Sequence, residues 1–338
     1  MILVTGGTGL VGSHLLYKLV TDGKTVRAIY RKPHKLESVK KVFSYYSDHF
    51  EALYQKIEWV EADLNNIPAL EVAFKDISYV YHCAAFVSFE PNKYHLLRRI
   101  NIQGTANVVN LCISNNVKKL CHVSSVATIA NPQSPEESSN EDTPWNPEED
   151  HSVYAITKYG AEIEVWRGTQ EGLDAVIINP GVILGPGYWK SGGSGSLIQL
   201  VYKGLPYYSN GVSGYVDIWD VVKIMVQLMD SNIRNERYIL VGEHLSFNDF
   251  QTQVANLLGV EPAKKEVSKL MLEMAWRLDW LNHKIRGKRR KLSKQLARTI
   301  RSKRYCDTTK VRRTLQVEFT PIKESIAKVS NYFLNDLE

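Results

Sequence analysis

Tyr154-Ala155-Ile156-Thr157-Lys158 puts a phenol and an ammonium four residues apart, and on a helix such positions share a face. A tyrosine at its ordinary pKa of about 10 is a poor proton shuttle near neutral pH. A neighbouring positive charge favours the phenolate and so makes the phenol a better acid. The chemistry this pair offers is proton transfer to or from an oxygen. Alone, Tyr-x-x-x-Lys also describes an ordinary helix surface. Two hydroxyls give it context, because Ser124 and Ser125 follow His122-Val123 at the end of an apolar run. A hydroxyl at the carboxyl end of a strand can hold a carbonyl or alcohol oxygen and steady its developing charge. One of the two serines is expected to do this and the other to be structural.

A second constellation opens the chain. Gly6-x-x-Gly9-x-x-Gly12 stands between the apolar run Ile2–Val4 and a helical pattern that continues through His14–Asp22. Gly6 turns the chain sharply out of the strand. Gly9 leaves the backbone open to a pyrophosphate, and Gly12 lets the helix pack close to the sheet. The helix N-terminus adds unpaired N–H groups and a positive dipole end. Thr5, Gly6, Gly9, Leu10, Val11 and Gly12 are therefore expected at a bound dinucleotide. If it carries a nicotinamide, Lys158 can also bond the ribose, and the oxidised ring favours the phenolate of Tyr154.

These residues need a scaffold, and the rest of the sequence supplies one. Strands are expected at Ile2–Val4, Thr25–Tyr30, Ile57–Val60, Val80–Ala84, Leu120–Ser124 and Ala175–Ile178. Helical patterns fall between them, at Val42–Lys56, Ala69–Phe74, Tyr94–Ser114 and Ser152–Gln170. This alternation predicts an α/β fold, a Rossmann-type doubly wound parallel sheet. Residues 1–180 are expected to bind the dinucleotide and carry the catalytic groups. Residues 181–338 are expected to form a smaller, mostly helical substrate-binding region, with segments near 215–241 returning to the core. Helices are predicted over 197–204, 219–230, Phe247–Leu258 and much of 264–304, with a strand at Tyr238–Val241.

At 338 residues the chain has ample length for a core, with 44% hydrophobic and 23% charged residues. No stretch is long and apolar enough to span a bilayer. A strand starting at Ile2 predicts no signal peptide. Cys83, Cys112, Cys121 and Cys306 lack metal-ligand spacing and read as free thiols, which predicts a cytoplasmic protein without a metal site. His14, His82 and His122 are read as structural. Charge is uneven. Residues 264–313 hold eighteen Lys/Arg and four Asp/Glu, a net +14, which leaves the remainder at −8. Residues 136–150 carry seven acids and no base. The basic segment reads first as a solvated helical face, then as a surface for phosphate, anionic lipid or nucleic acid.

Taken in order along the chain, the motifs resemble the extended short-chain dehydrogenase/reductase superfamily, the NAD-dependent epimerase/dehydratase group. Thr5–Gly12, Ser125, Tyr154 and Lys158 match its glycine turn and catalytic residues. The resemblance implies an adenine contact at Asp63-Leu64 and a strand-four segment beneath the cofactor at His82-Cys83-Ala84-Ala85. It implies a supporting role for Asn101, through a water relay to Lys158, in Asn101-Ile102-Gln103-Gly104-Thr105. The loop along the nicotinamide corresponds to Asn179-Pro180-Gly181, with Val182 following, and to Gly185-Pro186-Gly187. Tyr215-Val216-Asp217-Ile218 and Tyr305–Lys310 resemble later family segments. Helices 94–114 and 152–170 pair across a two-fold axis in such proteins, so a homodimer is expected. Within the superfamily, Ala84–Phe89 and Tyr202–Pro206 resemble dihydroflavonol-reductase-like and 3β-hydroxysteroid-dehydrogenase-like members.

Two departures narrow the expectation. Members that prefer NAD place an acid at the end of strand two, whereas here Tyr30 is followed by Arg31 and Lys32. A carboxylate repels a 2′-phosphate and a guanidinium pairs with one, so NADP(H) is expected over NAD(H). Sugar dehydratases of the superfamily carry Asp-Glu directly after the catalytic hydroxyl, but Val126-Ala127 follows Ser125. The expected activity is NADP(H)-dependent interconversion of a ketone or aldehyde and an alcohol, with Tyr154 as acid/base. The alternatives are a nucleotide-sugar epimerase with tightly bound NAD(P) and a non-catalytic NADP(H)-sensing protein.

Phe86, Ser88, Phe89, Asn179, Tyr188, Trp189 and Tyr215 are expected near the mouth of the site, where aromatics suit a flat or apolar substrate. In the basic region, Val267, Leu270, Met271, Met274, Leu278 and Leu281 follow helical spacing, and Leu272, Trp276 and Trp280 form a second stripe. So wide an apolar face is expected to be core or pocket wall, with peripheral membrane contact through 264–304 the lesser expectation. Nucleic-acid binding is not expected, because few aromatics interleave with the basic residues.

Overall fold

Continuous apolar runs give strands that are buried on both faces, and short helices between them force parallel crossovers. The computed structural model describes residues 1–130, 138–190, 193–287 and 292–337. The acidic run 136–150, the loop 191–196 and the basic run 284–304 each lie partly outside the described residues. The strands are Ile2–Thr5 (β1), Val26–Tyr30 (β2), Ile57–Glu61 (β3), Tyr79–His82 (β4), Lys119–Val123 (β5), Ala175–Pro180 (β6), Val182–Leu184 (β7), Tyr207–Tyr208 (β8), Val212–Asp217 (β9), Glu236–Leu240 (β10), Glu243–Ser246 (β11) and Lys265–Glu266 (β12).

Seven of them form one sheet in the order β10-β6-β5-β4-β1-β2-β3. Every neighbouring pair in it is parallel. Strand order reverses between β1 and β4, and open α/β sheets bind ligands at such a point. Alternate residues bury to opposite sides. Val4, Tyr81, Cys121 and Val176 join Leu15, Leu19, Val221 and Met225 in one apolar layer. Leu3, Val80, Leu120 and Ile177 join Leu70, Phe74, Val108 and Val165 in the other. All four cysteines are free.

Beyond β6 the chain builds a smaller lobe. A three-stranded sheet, ordered β11-β9-β7, packs on helices Ser194–Tyr202, Phe247–Leu257 and Ile322–Asn335. Tyr215, Phe250, Ile326 and Phe333 fill its core. The helix Ile322–Asn335, for which the sequence patterns gave no expectation, closes this lobe. Two expected helices differ in detail. The pattern over Val42–Lys56 divides into helices Leu36–Ser44 and Phe50–Tyr54, separated by a turn where Ser47 Oγ accepts the His49 N–H. The helix expected over Tyr94–Ser114 contains a π-helical turn, Arg98–Gln103.

The apolar stripes of 264–304 are not core. On helix Lys269–Arg286 only Leu272 is buried. The sequence pattern fixes which residues share a face, but not whether a neighbour covers it. Leu96, Ile156 and Ile163 are exposed on the helices expected to pair in a dimer. Among the described residues, no helix is long and apolar enough to cross a membrane.

The glycine turn tolerates little change. Gly6 has φ +68°, and a β-carbon there would stand 2.5 Å from the Ala84 backbone nitrogen. Gly23 has a similar φ of +72° but nothing within 4 Å. Gly23→Ala should therefore cost about 1 kcal/mol from backbone strain alone. Gly6→Ala should cost about 3 kcal/mol, because overpacking adds to that strain. Urea denaturation of both variants checks this, and equal losses would contradict it.

Candidate active site

Tyr154, Lys158 and Glu162 are spaced by four on the helix Val153–Gln170, so one face carries all three. Ser152 caps that helix, its Oγ accepting the Ala155 N–H at 3.1 Å. Opposite stands the carboxyl end of β5, where Ser124 and Ser125 begin a tight turn, Val126–Thr128. The two serines part ways. The Ser125 hydroxyl lies near the Tyr154 phenol and accepts the Ala127 N–H at 3.2 Å. The Ser124 hydroxyl is buried and donates to the Glu162 carboxylate.

Glu162 is fully buried and gathers further partners. Its carboxylate lies 2.6 Å from Thr128 Oγ1, 2.7 Å from Asn179 Nδ2 and 3.4 Å from Arg237 Nη1. Asn179 Nδ2 also reaches the Ser125 carbonyl at 3.2 Å. Asn179 is thus a completely buried bolt behind the Ser125 loop, and not the substrate contact expected of it. Sequence reasoning passed over Glu162. The available signal was its position two turns beyond Tyr154, on the same face.

Lys158 is buried beneath this loop. Its ammonium donates to the Val123 carbonyl at 2.8 Å and lies 3.3 Å from His122 Nε2. Burial lowers its pKa from 10.5 to about 8, against the pull of Glu162. The Tyr154 phenol is pushed up to about 12 by burial, with the Ser125 hydroxyl opposing. The expected lowering of the phenol by Lys158 is therefore not what this geometry produces, since the ammonium is directed at β5.

Parallel register sets Thr5 beside His82 and His82 beside His122 across β1, β4 and β5. Thr105 spends its hydroxyl hydrogen on the Asn101 carbonyl at 2.6 Å, so His82 Nε2 donates to Thr105 Oγ1 at 2.9 Å. His82 Nδ1 then accepts from Thr5 Oγ1 at 2.6 Å. Burial depresses His82 to about 3, which keeps it neutral at physiological pH. The Thr5 side chain thus braces β4 rather than facing a ligand. Asn101, in the π-helical turn, binds the Phe86 N–H at 2.8 Å, the Phe86 carbonyl at 3.0 Å and Thr157 Oγ1 at 3.2 Å. Its side-chain bonds run to Phe86 and Thr157, so it positions the segment after β4.

That segment carries Phe86 and Phe89. The Phe89 ring meets the Tyr154 ring edge-on, with centroids 5.6 Å apart. Ser88 is buried, its Oγ accepting the Glu90 N–H. The remaining expected mouth residues lie elsewhere. Tyr215 is fully buried and stacks on Phe250. Trp189 Nε1 donates to Asp336 at 2.7 Å and packs on Phe333. Tyr188 turns its phenol to the Ser13 hydroxyl on the first helix. Large aromatics fill cores as readily as they line mouths, and depth is not encoded in residue type.

At the β1–β4 switch point lies a cavity of about 320 Å³. Gly6, Gly9, Ala84 and Ala85 floor it, while Arg31, Lys32, Asp63 and Leu64 line its far end. Lys35, which the sequence reading did not single out, adds a third cation there. Arg31 bridges to Asp63 at 3.4 Å. A β-carbon on Gly12 would meet the Gly6 carbonyl at 2.2 Å, so Gly12 seats the helix Leu10–Thr21 on the turn. Leu10 and Val11 begin that helix, where backbone N–H groups lack intrahelical partners. These features fit a dinucleotide phosphate. Pro180, Gly181 and Val182 lie outside this cavity, where the chain passes from β6 to β7 and Gly181 presses on the Gly214 carbonyl.

The NAD dependent epimerase/dehydratase family matches residues 2–242. The chain belongs to this family. It is similar to "Sterol demethylase protein B" of Methylococcus capsulatus, 27% identical over 335 residues, 98% of this chain and 97% of that protein. It is likewise similar to a "Putative dihydroflavonol 4-reductase" of Synechocystis, 26% identical over 340 residues, 98% of this chain and 94% of the other. The crystal structure of gox2253 superposes with a TM-score of 0.81 at 23% identity, covering 99% of this chain and 98% of that one. That likeness is one of fold, a parallel central sheet with flanking helices.

The buried lysine gives a signed pH effect. Between pH 8 and 10 the unfolded chain holds the Lys158 proton while the folded nucleotide-free protein has released it. Lys158 should therefore make the folded state more stable as pH rises through that window. Above pH 10 the raised Tyr154 phenol acts in the opposite sense. Denaturation of wild type and Lys158→Met across pH 7–10 should show a rising difference in favour of wild type. A flat difference would contradict the burial of a shifted ammonium.

Proposed function

We propose that this protein is an NADP(H)-dependent carbonyl reductase or alcohol dehydrogenase. The observation that carries the reading is the placement of the Ser125 hydroxyl near the Tyr154 phenol, with Lys158 one turn further along, close to the glycine-floored cavity. Ser125 and Tyr154 offer two hydroxyls to one carbonyl oxygen. Tyr154, protonated at neutral pH, gives that oxygen its proton, and Ser125 holds the oxygen as charge develops. The cavity residues Gly6, Gly9, Ala84 and Ala85 would hold a nicotinamide dinucleotide, which would supply hydride chemistry when bound. Lys158 follows Tyr154 by one turn on the same helix face, its ammonium held on the Val123 carbonyl.

Arg31, Lys32 and Lys35 at the far end of the cavity support selection of a 2′-phosphorylated cofactor. Val126–Thr128 places no carboxylate after Ser125, and Glu162 is fully engaged in its buried bonds. Both points support oxidoreduction over elimination. Phe89 against the Tyr154 ring and Phe86 in the cavity wall support a flat or apolar carbonyl substrate.

An NADPH-consumption screen over ketones, aldehydes, flavonoids and steroids tests this reading. Turnover is expected, with kcat/KM favouring NADPH over NADH. Tyr154→Phe should lower kcat by about 100-fold or more. Arg31→Ala should raise the KM for NADPH about tenfold and leave that for NADH nearly unchanged. Preference for NADH would overturn the cofactor assignment. Copurifying nucleotide with no consumption of added NADPH would point instead to an epimerase.

A further inference from the structure

Among the described residues, nothing covers an apolar stripe on helix Lys269–Arg286. Leu270, Met274, Leu278, Leu281 and Ile285 lie within an arc of about 80°. Each is between 44% and 73% exposed. Five large side chains in line differ from the scattered apolar residues of an ordinary surface. Along one edge of the stripe run Arg277 and Lys284. Lys284 lies over the Trp280 ring at 5.2 Å, and Arg277 over the Trp276 ring at 4.5 Å. Lys269 and Arg286 are exposed at the helix ends.

We propose that this helix docks the protein on the surface of an anionic lipid bilayer. The stripe would enter the boundary between headgroups and acyl chains, with the flanking tryptophan and cations at phosphate level. Charge decides the occupant. Residues 264–313 carry a net +14, so a second copy of this chain would set like charge against like. A nucleic acid would satisfy the cations but leave the leucines in water. An anionic bilayer satisfies both.

The chain is anchored on both sides of the helix, and on the C-terminal side to the segment leading into the Tyr154 helix. Before it, β12 pairs with β8. After it, Gln295 Nε2 donates to the His151 carbonyl at 3.0 Å, three residues ahead of Tyr154, and Arg298 pairs with Asp150. Docking through the stripe would therefore hold the Tyr154 end of its helix near the bilayer. The proposal is independent of which carbonyl is reduced.

Co-sedimentation of the full chain with phosphatidylglycerol/phosphatidylcholine vesicles at low salt tests it. Binding is expected, weakening as salt rises and falling sharply with pure phosphatidylcholine. Leu278→Glu with Ile285→Glu should reduce partitioning about tenfold or more, with the NADPH-induced rise in melting temperature retained. Arg277→Gln with Lys284→Gln gives a second probe and should reduce binding only to the anionic vesicles. Absence of sedimentation at low salt would overturn the proposal. So would wild-type binding by the Leu278/Ile285 variant, the outcome if charge alone or a nucleic-acid site explains the segment. Dissociation of a dimer in buffer by that variant would also overturn it, because the stripe would then be a protein contact.

Discussion

One buried carboxylate sets the distance between the two elements that carry the Ser125 and Tyr154 hydroxyls. Glu162 belongs to the helix of Tyr154 and Lys158, yet its bonds go to Ser124, Thr128, Asn179 and Arg237 on other elements. Those partners lie on the turn after β5, on β6 and on β10. A charge in a low-dielectric interior is tolerated only with its acceptor sites filled, so the arrangement has little freedom to slide. Ser125 is carried by the loop these bonds pin, and it meets Tyr154 because of them.

A second set of constraints shapes the cavity beside that pair. The sheet opens between β1 and β4, and Gly6 and Gly12 let backbone pack where a β-carbon would collide. Neutral His82, bonded on both ring nitrogens, ties Thr5 to Thr105 and so fixes the strand ends around the opening. Asn101 fastens the following segment through Phe86, which keeps Phe89 against the Tyr154 ring. Arg31, Lys32 and Lys35 then give the far end its positive character.

Much of this was legible in the sequence, for physical reasons. Parallel strands buried on both faces read as plain apolar runs, and β1–β6 and β10 fall where those runs fall. A glycine with positive φ cannot readily be replaced, so the turn shows itself. Ser125, Tyr154 and Lys158 carry chemistry that few other residue types offer. Tertiary partners were less legible. Glu162 looked like any helix acid, and Asn179 and Thr5 looked like ligand contacts before their bonds to other strands were known. Tyr215 and Trp189 are aromatics whose depth depends on helix Ile322–Asn335, which has no motif. The stripe on Lys269–Arg286 had the periodicity of a core helix, and only the absence of a covering neighbour distinguishes it.

The central claim is that Glu162 positions Ser125 against Tyr154 without touching the nucleotide cavity. Glu162→Gln preserves shape but turns half of the acceptor group into a donor facing donors. Steady-state kinetics with a carbonyl substrate, together with NADPH titration, tests the claim directly. kcat should fall about 100-fold with NADPH affinity unchanged, since a small misplacement of reacting groups has that effect. An unchanged kcat, or a loss of NADPH affinity matching the loss of kcat, would contradict it.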